Sequence, residues 1–91
     1  MEREQLYKGL RLERHEPRRN LHRAYRLQLA RSLFGHWGLV RVWGRVGRAG
    51  RAQTEWFETA GEAERALARK LRERRRRGYA PRLRQGQLNE H

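Results

Sequence analysis

Apolar and polar residues alternate in four stretches of the chain and recur at helical spacing in a fifth. In segment 23–34, Tyr25, Leu27, Leu29 and Leu33 alternate with Arg26, Gln28 and Ser32. That is the pattern of an antiparallel strand with one buried face. Residues 5–12, QLYKGLRL, alternate more loosely, with Leu6, Lys8, Leu10 and Leu12 on one side and Gly9 weakening the run. Between these two, ERHEPRRN at 13–20 reads as a polar loop punctuated by Pro17. Gly35-His36 turns the chain into a third strand, 37–46. GRAG at 47–50 then supplies two glycines that can take positive φ at a tight reversal, and 51–57 returns as a fourth strand. Successive strands with short connections most simply form an antiparallel meander.

A helix follows. Thr59 and Glu62 form a T-x-x-E capping box, and Ala63, Ala66, Leu67, Lys70 and Leu71 make one stripe at i, i+3, i+4, i+7, i+8 spacing. Arginines at 74–77 complement the helix dipole, Gly78 suits the position after the C-cap, and Pro81 prevents continuation. The pattern predicts an α+β fold: a four-stranded antiparallel meander with one C-terminal helix packed on one face. Residues 1–81 form a single domain, and the aperiodic 82–91 reads as a mobile tail.

The third strand sorts its side chains onto two unlike faces. Trp37, Leu39, Arg41, Trp43 and Arg45 share one side, and Gly38, Val40, Val42, Gly44 and Val46 share the other. On this reading the valines face the helix-covered core. Arg41, Trp43 and Arg45 are then left on the open face, with Trp37 assigned to neither.

Charge changes the picture most. Lys and Arg number 23 against ten carboxylates, a formal net charge of +13. Only Lys8 and Lys70 are lysines, and Asp is absent. Such a surplus concentrates polyanions and speeds encounter with them, and guanidinium forks match phosphate geometry. An arginine-rich coding bias accounts for part of the Arg-for-Lys preference but not for the net charge. There is no cysteine, no apolar signal segment and no run of apolar residues long enough to span a bilayer. The expectation is a soluble cytoplasmic protein, nucleoid association being compatible, with no membrane partner.

Catalytic chemistry finds few candidates. Ser32 is the single serine, and no carboxylate pair is placed to face a cleft. VGRAGR precedes a strand, so it is a hairpin turn and not a nucleotide-binding loop. His15, His22, His36 and His91 lack metal-ligand spacing. The reading is a non-enzymatic protein with no cofactor and no metal. Its candidate contact site is Trp43, a flat platform flanked by Arg41 and Arg45, with Arg48 and Arg51 projecting from the adjoining turn. The arginine-rich run 72–77, with Arg75 in it, offers a second patch, and Arg18, Arg19 and Arg23 can add to the same field. The plain alternative is a packed strand tryptophan with solvated arginines around it.

Trp43-Gly44-Arg45, then Val46-Gly47 and Gly50, resembles the signature of the WGR domain. The likeness extends upstream to Tyr25-Arg26-Leu27-Gln28-Leu29 and Trp37 through Val42, and downstream to Phe57, Glu62, Ala63 and Leu71, covering roughly residues 20–80. The chain is similar to short free-standing bacterial members. The resemblance implies one antiparallel sheet flanked by a helix. In DNA-damage-dependent poly(ADP-ribose) polymerases this module helps recognise DNA ends, its tryptophan packing on the terminal nucleotide and basic residues holding the 5′ phosphate. By position Trp43 inherits the stacking role. Asn20 or His22 lies where a polar phosphate ligand is expected, and Arg45 corresponds to an arginine that also serves contacts between domains. The implied function is DNA binding, preferentially at ends or nicks. Docking of a partner protein on the Trp43 face and binding of single-stranded RNA on the open sheet face are the alternatives.

Overall fold

A computed structural model describes the backbone of residues 5–82 and the side chains of residues 9–82. Strands β1 (Gln5–Glu16), β2 (Leu21–Arg31), β3 (Trp37–Arg45) and β4 (Arg51–Phe57) are followed by helix α1 (Ala60–Arg76) and a two-residue strand β5 (Ala80–Pro81). The sheet order is β4-β3-β2-β1-β5, antiparallel throughout. The α+β fold and meander are as expected, with one more strand. Beyond the helix, Ala80 and Pro81 pair with Glu13 and Leu12, and Arg82 donates its N–H to the Arg11 carbonyl. Pro81 sits on a sheet edge, where its missing N–H costs nothing. The expected mobile tail at 82–91 lies outside the described residues except for Arg82.

The first half of the expected loop at 13–20 is strand. β1 runs on to Glu16, and only Pro17–Arg19 forms a 3₁₀ turn, closed by Asn20 at φ 50. The register slips between Leu6 and Gly9, which breaks the simple alternation of the first segment. β2 ends at Arg31, three residues short of the predicted end. Leu33 and Phe34 therefore lie on the turn, 57% and 84% exposed.

The helix forms as its sequence dictates. Thr59 Oγ1 accepts from the Glu62 N–H at 3.1 Å, and Glu62 Oε1 accepts from the Thr59 N–H at 3.3 Å, which completes the capping box. Gly78 at φ +96 ends it. The Gly78 N–H bonds Arg75 O at 3.0 Å and the Tyr79 N–H bonds Arg74 O at 3.1 Å, the two bonds of a Schellman motif. Ala63, Ala66 and Leu67 are buried, with Leu71 packed beside them, so the predicted stripe is the one that docks.

The face on which it docks is opposite to expectation. The core holds Leu12, Tyr25, Leu27, Leu29 and Leu39 with the helix residues, and Trp37, Trp43 and Phe57 pack against it. Val40 and Val42 sit on the open face. The period-two split of β3 is as read, but the half carrying both tryptophans and Leu39 is the inner one. Register explains why: Leu39 pairs Leu29 and Trp43 pairs Tyr25, so β3 continues the apolar stripe of β2. Two tryptophans and a leucine also bury far more apolar area than two valines. On the open face Trp56 lies across Gly38, where a Cβ would come within 2.8 Å of its ring. Only glycine leaves room for the indole there.

Candidate nucleic-acid interface

Trp43 is half-buried and packs against the edge of the core. Its ring stacks against Tyr25 with centroids 6.1 Å apart and planes at 21°. Tyr25 in turn meets Tyr79 edge-on at 6.0 Å, and the Arg74 guanidinium carbon stands 4.5 Å over its ring. This column of rings fixes the indole, so Trp43 is both a packed strand residue and a partly open platform. Arg41 lies beneath it, its guanidinium carbon 5.8 Å from the indole centroid, and donates from Nη2 to Gln53 Oε1.

Beside the indole opens a concavity of ≈ 550 Å³ lined by Arg19, Asn20, Leu21, His22, Arg23, Trp43, Gly44, Arg45, Ala49, Gly50 and Arg51. It gathers five of the eight residues singled out in the sequence: Trp43, Arg45, Arg51, Asn20 and His22. It adds Arg19 and Arg23, which were suspected only as part of a general field. No carboxylate is among its described lining residues, although Arg19 donates from Nη1 to Glu16 Oε1 at 3.1 Å just outside it. Arg48 lies on the far side of the 46–50 turn, Arg41 under the indole, and Arg75 is exposed at the end of α1, lining neither this hollow nor the smaller one beyond the turn.

Three arginines stand in one cross-strand row. Arg14 pairs Arg23, and Arg23 pairs Arg45. Like charges directly opposite on neighbouring strands destabilise a sheet, and strands lie about 4.8 Å apart. Arg14 is partly neutralised by Glu16, whose Oε2 accepts from Nε at 3.0 Å, and this pairing holds the Glu16 carboxyl below its usual range. Arg45 donates from Nη1 to Asn20 O at 3.2 Å and from Nη2 to Asn20 Oδ1 at 3.4 Å. Neither contact removes its charge. Arg23 is exposed. The row therefore concentrates cations next to the Tyr25–Trp43 pair.

The turn that walls the site depends on close backbone packing. A Cβ on Gly50 would lie 2.2 Å from the Trp43 carbonyl oxygen, and one on Gly44 would lie 2.9 Å from Gly50 Cα. Gly47 supplies the positive φ of +82. The W-G-R spacing thus has a steric cause: the glycine lets the returning chain rest against the strand that carries the tryptophan and arginine.

Behind the site, His15 Nδ1 lies 2.7 Å from His22 Nδ1, and His15 Nε2 lies 2.7 Å from Glu13 Oε1. Since a carboxylate accepts, His15 Nε2 donates to it. Arg11 Nε at 2.8 Å and Arg82 Nη1 at 3.5 Å also reach the Glu13 carboxylate. Burial opposes its charge, but the His15 and Arg11 hydrogen bonds and the two arginine charges together hold the carboxyl below its usual range. Among the described residues no group of three or more His, Cys, Asp or Glu is placed to hold a metal ion. No described helix is long and apolar enough to cross a membrane.

A WGR domain family model matches residues 9–86. The chain belongs to the WGR domain family. The match spans every element described above from Gly9 onward. The WGR chain is also 40% identical over 71 residues to "Uncharacterized protein y4dW" of Sinorhizobium fredii, covering 78% of this chain. It spans 35% of that relative's length.

Proposed function

We propose that this WGR domain is a non-enzymatic module that binds DNA, with preference for ends or nicks. The terminal nucleotide rests against Trp43 and its phosphate enters the adjoining concavity. The observation that carries this reading is the juxtaposition of the indole with Arg19, Arg23, Arg45 and Arg51 around one hollow with no carboxylate among its described lining residues. Stacking on an aromatic platform contributes about 1–3 kcal/mol per base, and each arginine adds a charge-assisted contact to phosphate. A platform at the edge of the core suits a terminal nucleotide, because the interior of a duplex exposes no base face. The contacts proposed here are to a base face and to phosphate, which carry little sequence information, so sequence preference is low.

The test compares a duplex with open 5′-phosphorylated ends against a closed dumbbell of equal length, for wild type and Trp43→Ala. Open ends should bind more tightly, and the substitution should abolish that difference while leaving a salt-dependent background. Equal affinity for both substrates, unchanged by the substitution, leaves only non-specific electrostatics.

A further inference from the structure

A second concavity, of ≈ 260 Å³, lies across the 46–50 turn on the open face of the sheet. Arg11, Arg26, Arg45 and Arg48 line it, around Val42 and the small residues Ala24, Gly44 and Gly47, and again no carboxylate is among the described lining residues. Arg11 and Arg26 are directly paired residues on β1 and β2. Like charges in that relationship weaken a sheet. Arg11 is relieved by Glu13, whereas the exposed side chains of Arg26 and Arg48 have no hydrogen-bond or ion-pair partner among the described residues. The fold recovers nothing from placing them there, and a bound anion does.

The two hollows share Trp43, Gly44, Arg45, Ala49 and Gly50 in their walls. They are the two sides of one turn, with Arg45 lining both. A chain of phosphates leaving the Trp43 site can continue around the turn only by bending sharply from one face of the sheet to the other. Duplex DNA, with a persistence length of about 50 nm, does not follow such a path, whereas a single strand does.

We propose that the open-face hollow is a second phosphate subsite, occupied by the single-stranded extension of a nucleic-acid end whose junction sits at Trp43. Arg26 and Arg48 are its principal ligands. The proposal rests on the end-binding reading above, and the substrates separate the two. Binding is measured by anisotropy across a salt series. The substrates are a blunt 5′-phosphorylated duplex, a closed dumbbell, and the duplex bearing an extension of about six nucleotides in either polarity, a length within the range of small single-strand sites. The proteins are wild type, Trp43→Ala, Arg26→Gln/Arg48→Gln, and Arg69→Gln/Arg72→Gln as a charge-matched control on the exposed side of α1. One polarity of extension should tighten wild-type binding by about tenfold, and the Arg26→Gln/Arg48→Gln variant should lose that gain. Its salt slope on the extended substrate should fall by about 1.4, at about 0.7 per single-strand phosphate for two phosphates. Its affinity for the blunt end should stay within about twofold of wild type, and the control should keep the gain. The proposal is overturned if neither extension tightens binding, or if the variant and the control weaken all substrates alike. Failure of the end-binding reading appears separately, as a Trp43→Ala protein that distinguishes blunt duplex from dumbbell just as wild type does.

Discussion

The Arg45 guanidinium is fastened to Asn20, through Nη1 to the backbone carbonyl at 3.2 Å and through Nη2 to Oδ1 at 3.4 Å. The two residues are 25 positions apart, and the contact aligns the motif arginine with the rim of the Trp43 hollow. Asn20 reaches that place because it closes the 3₁₀ turn in the left-handed region, where asparagine is among the few tolerated side chains. Its Oδ1 is therefore an acceptor for Arg45, and in the proposed binding mode its part is to position the arginine.

Asn20→Gly keeps the left-handed backbone and the backbone carbonyl that accepts from Arg45, and removes the carboxamide with its Oδ1. The contact is long and exposed, so its loss should weaken binding to a 5′-phosphorylated duplex end by about two- to fivefold, equivalent to about 0.5–1 kcal/mol. The thermal midpoint should barely move. A lowered midpoint with unaltered affinity per folded molecule would mean that the bond serves the fold and not the site.

The packing of the 46–50 turn separates two kinds of glycine. Gly47→Ala meets no atom within 4 Å and suffers only its positive φ, a cost of about 1 kcal/mol. Gly50→Ala drives a methyl into the Trp43 carbonyl oxygen at 2.2 Å, and neither partner is a flexible side chain. Urea denaturation should show Gly50→Ala as the more destabilising by at least about 1–2 kcal/mol, within the cost of overpacking. Because the clash is with the strand that carries Trp43, end binding should also fall. Equal costs for the two substitutions would contradict the close approach.

Much of this arrangement was legible in the sequence, and the failures have physical causes. The capping box, the Gly78 terminus and the helix stripe follow from local rules, which act within a few residues and so can be read there. The period-two split of β3 was legible for the same reason. Which half faces inward is set by register against β2, a non-local choice, and the valines were the wrong guide to it. The consistent stripe of Tyr25, Leu27 and Leu29, with Arg26 and Gln28 opposite, carried the answer once Trp43 was paired to Tyr25. Arg23 was undervalued because its neighbours Arg14 and Arg45 come from other strands. β5 was invisible because two residues carry no periodicity.

That inversion makes its own prediction. Leu39 is 1% exposed in the core, so Leu39→Ala should cost about 2–5 kcal/mol. Val42 is half-buried on the open face, and Val42→Thr should cost less than about 1 kcal/mol. Denaturation midpoints of the two variants decide the matter, and the reverse ranking would restore the valines to the core.

Glu13 links stability to pH. Its folded carboxyl titrates below the ordinary value of 4.5, held there against its own burial by His15, Arg11 and Arg82. A depressed carboxylate contributes stability that is fully present above the unfolded value and is lost as pH falls through the folded one. Glu13→Gln should therefore lower stability at pH 7 by about 1 kcal/mol, the upper end for solvent-accessible pairs. The difference from wild type should shrink as the medium is acidified below about pH 4.5 and vanish once the wild-type carboxyl is protonated in both states. Urea midpoints of the two proteins at neutral and acid pH measure it. A gap that stays constant, or widens in acid, would show that Glu13 acts through packing alone and that the cations around it contribute no net attraction.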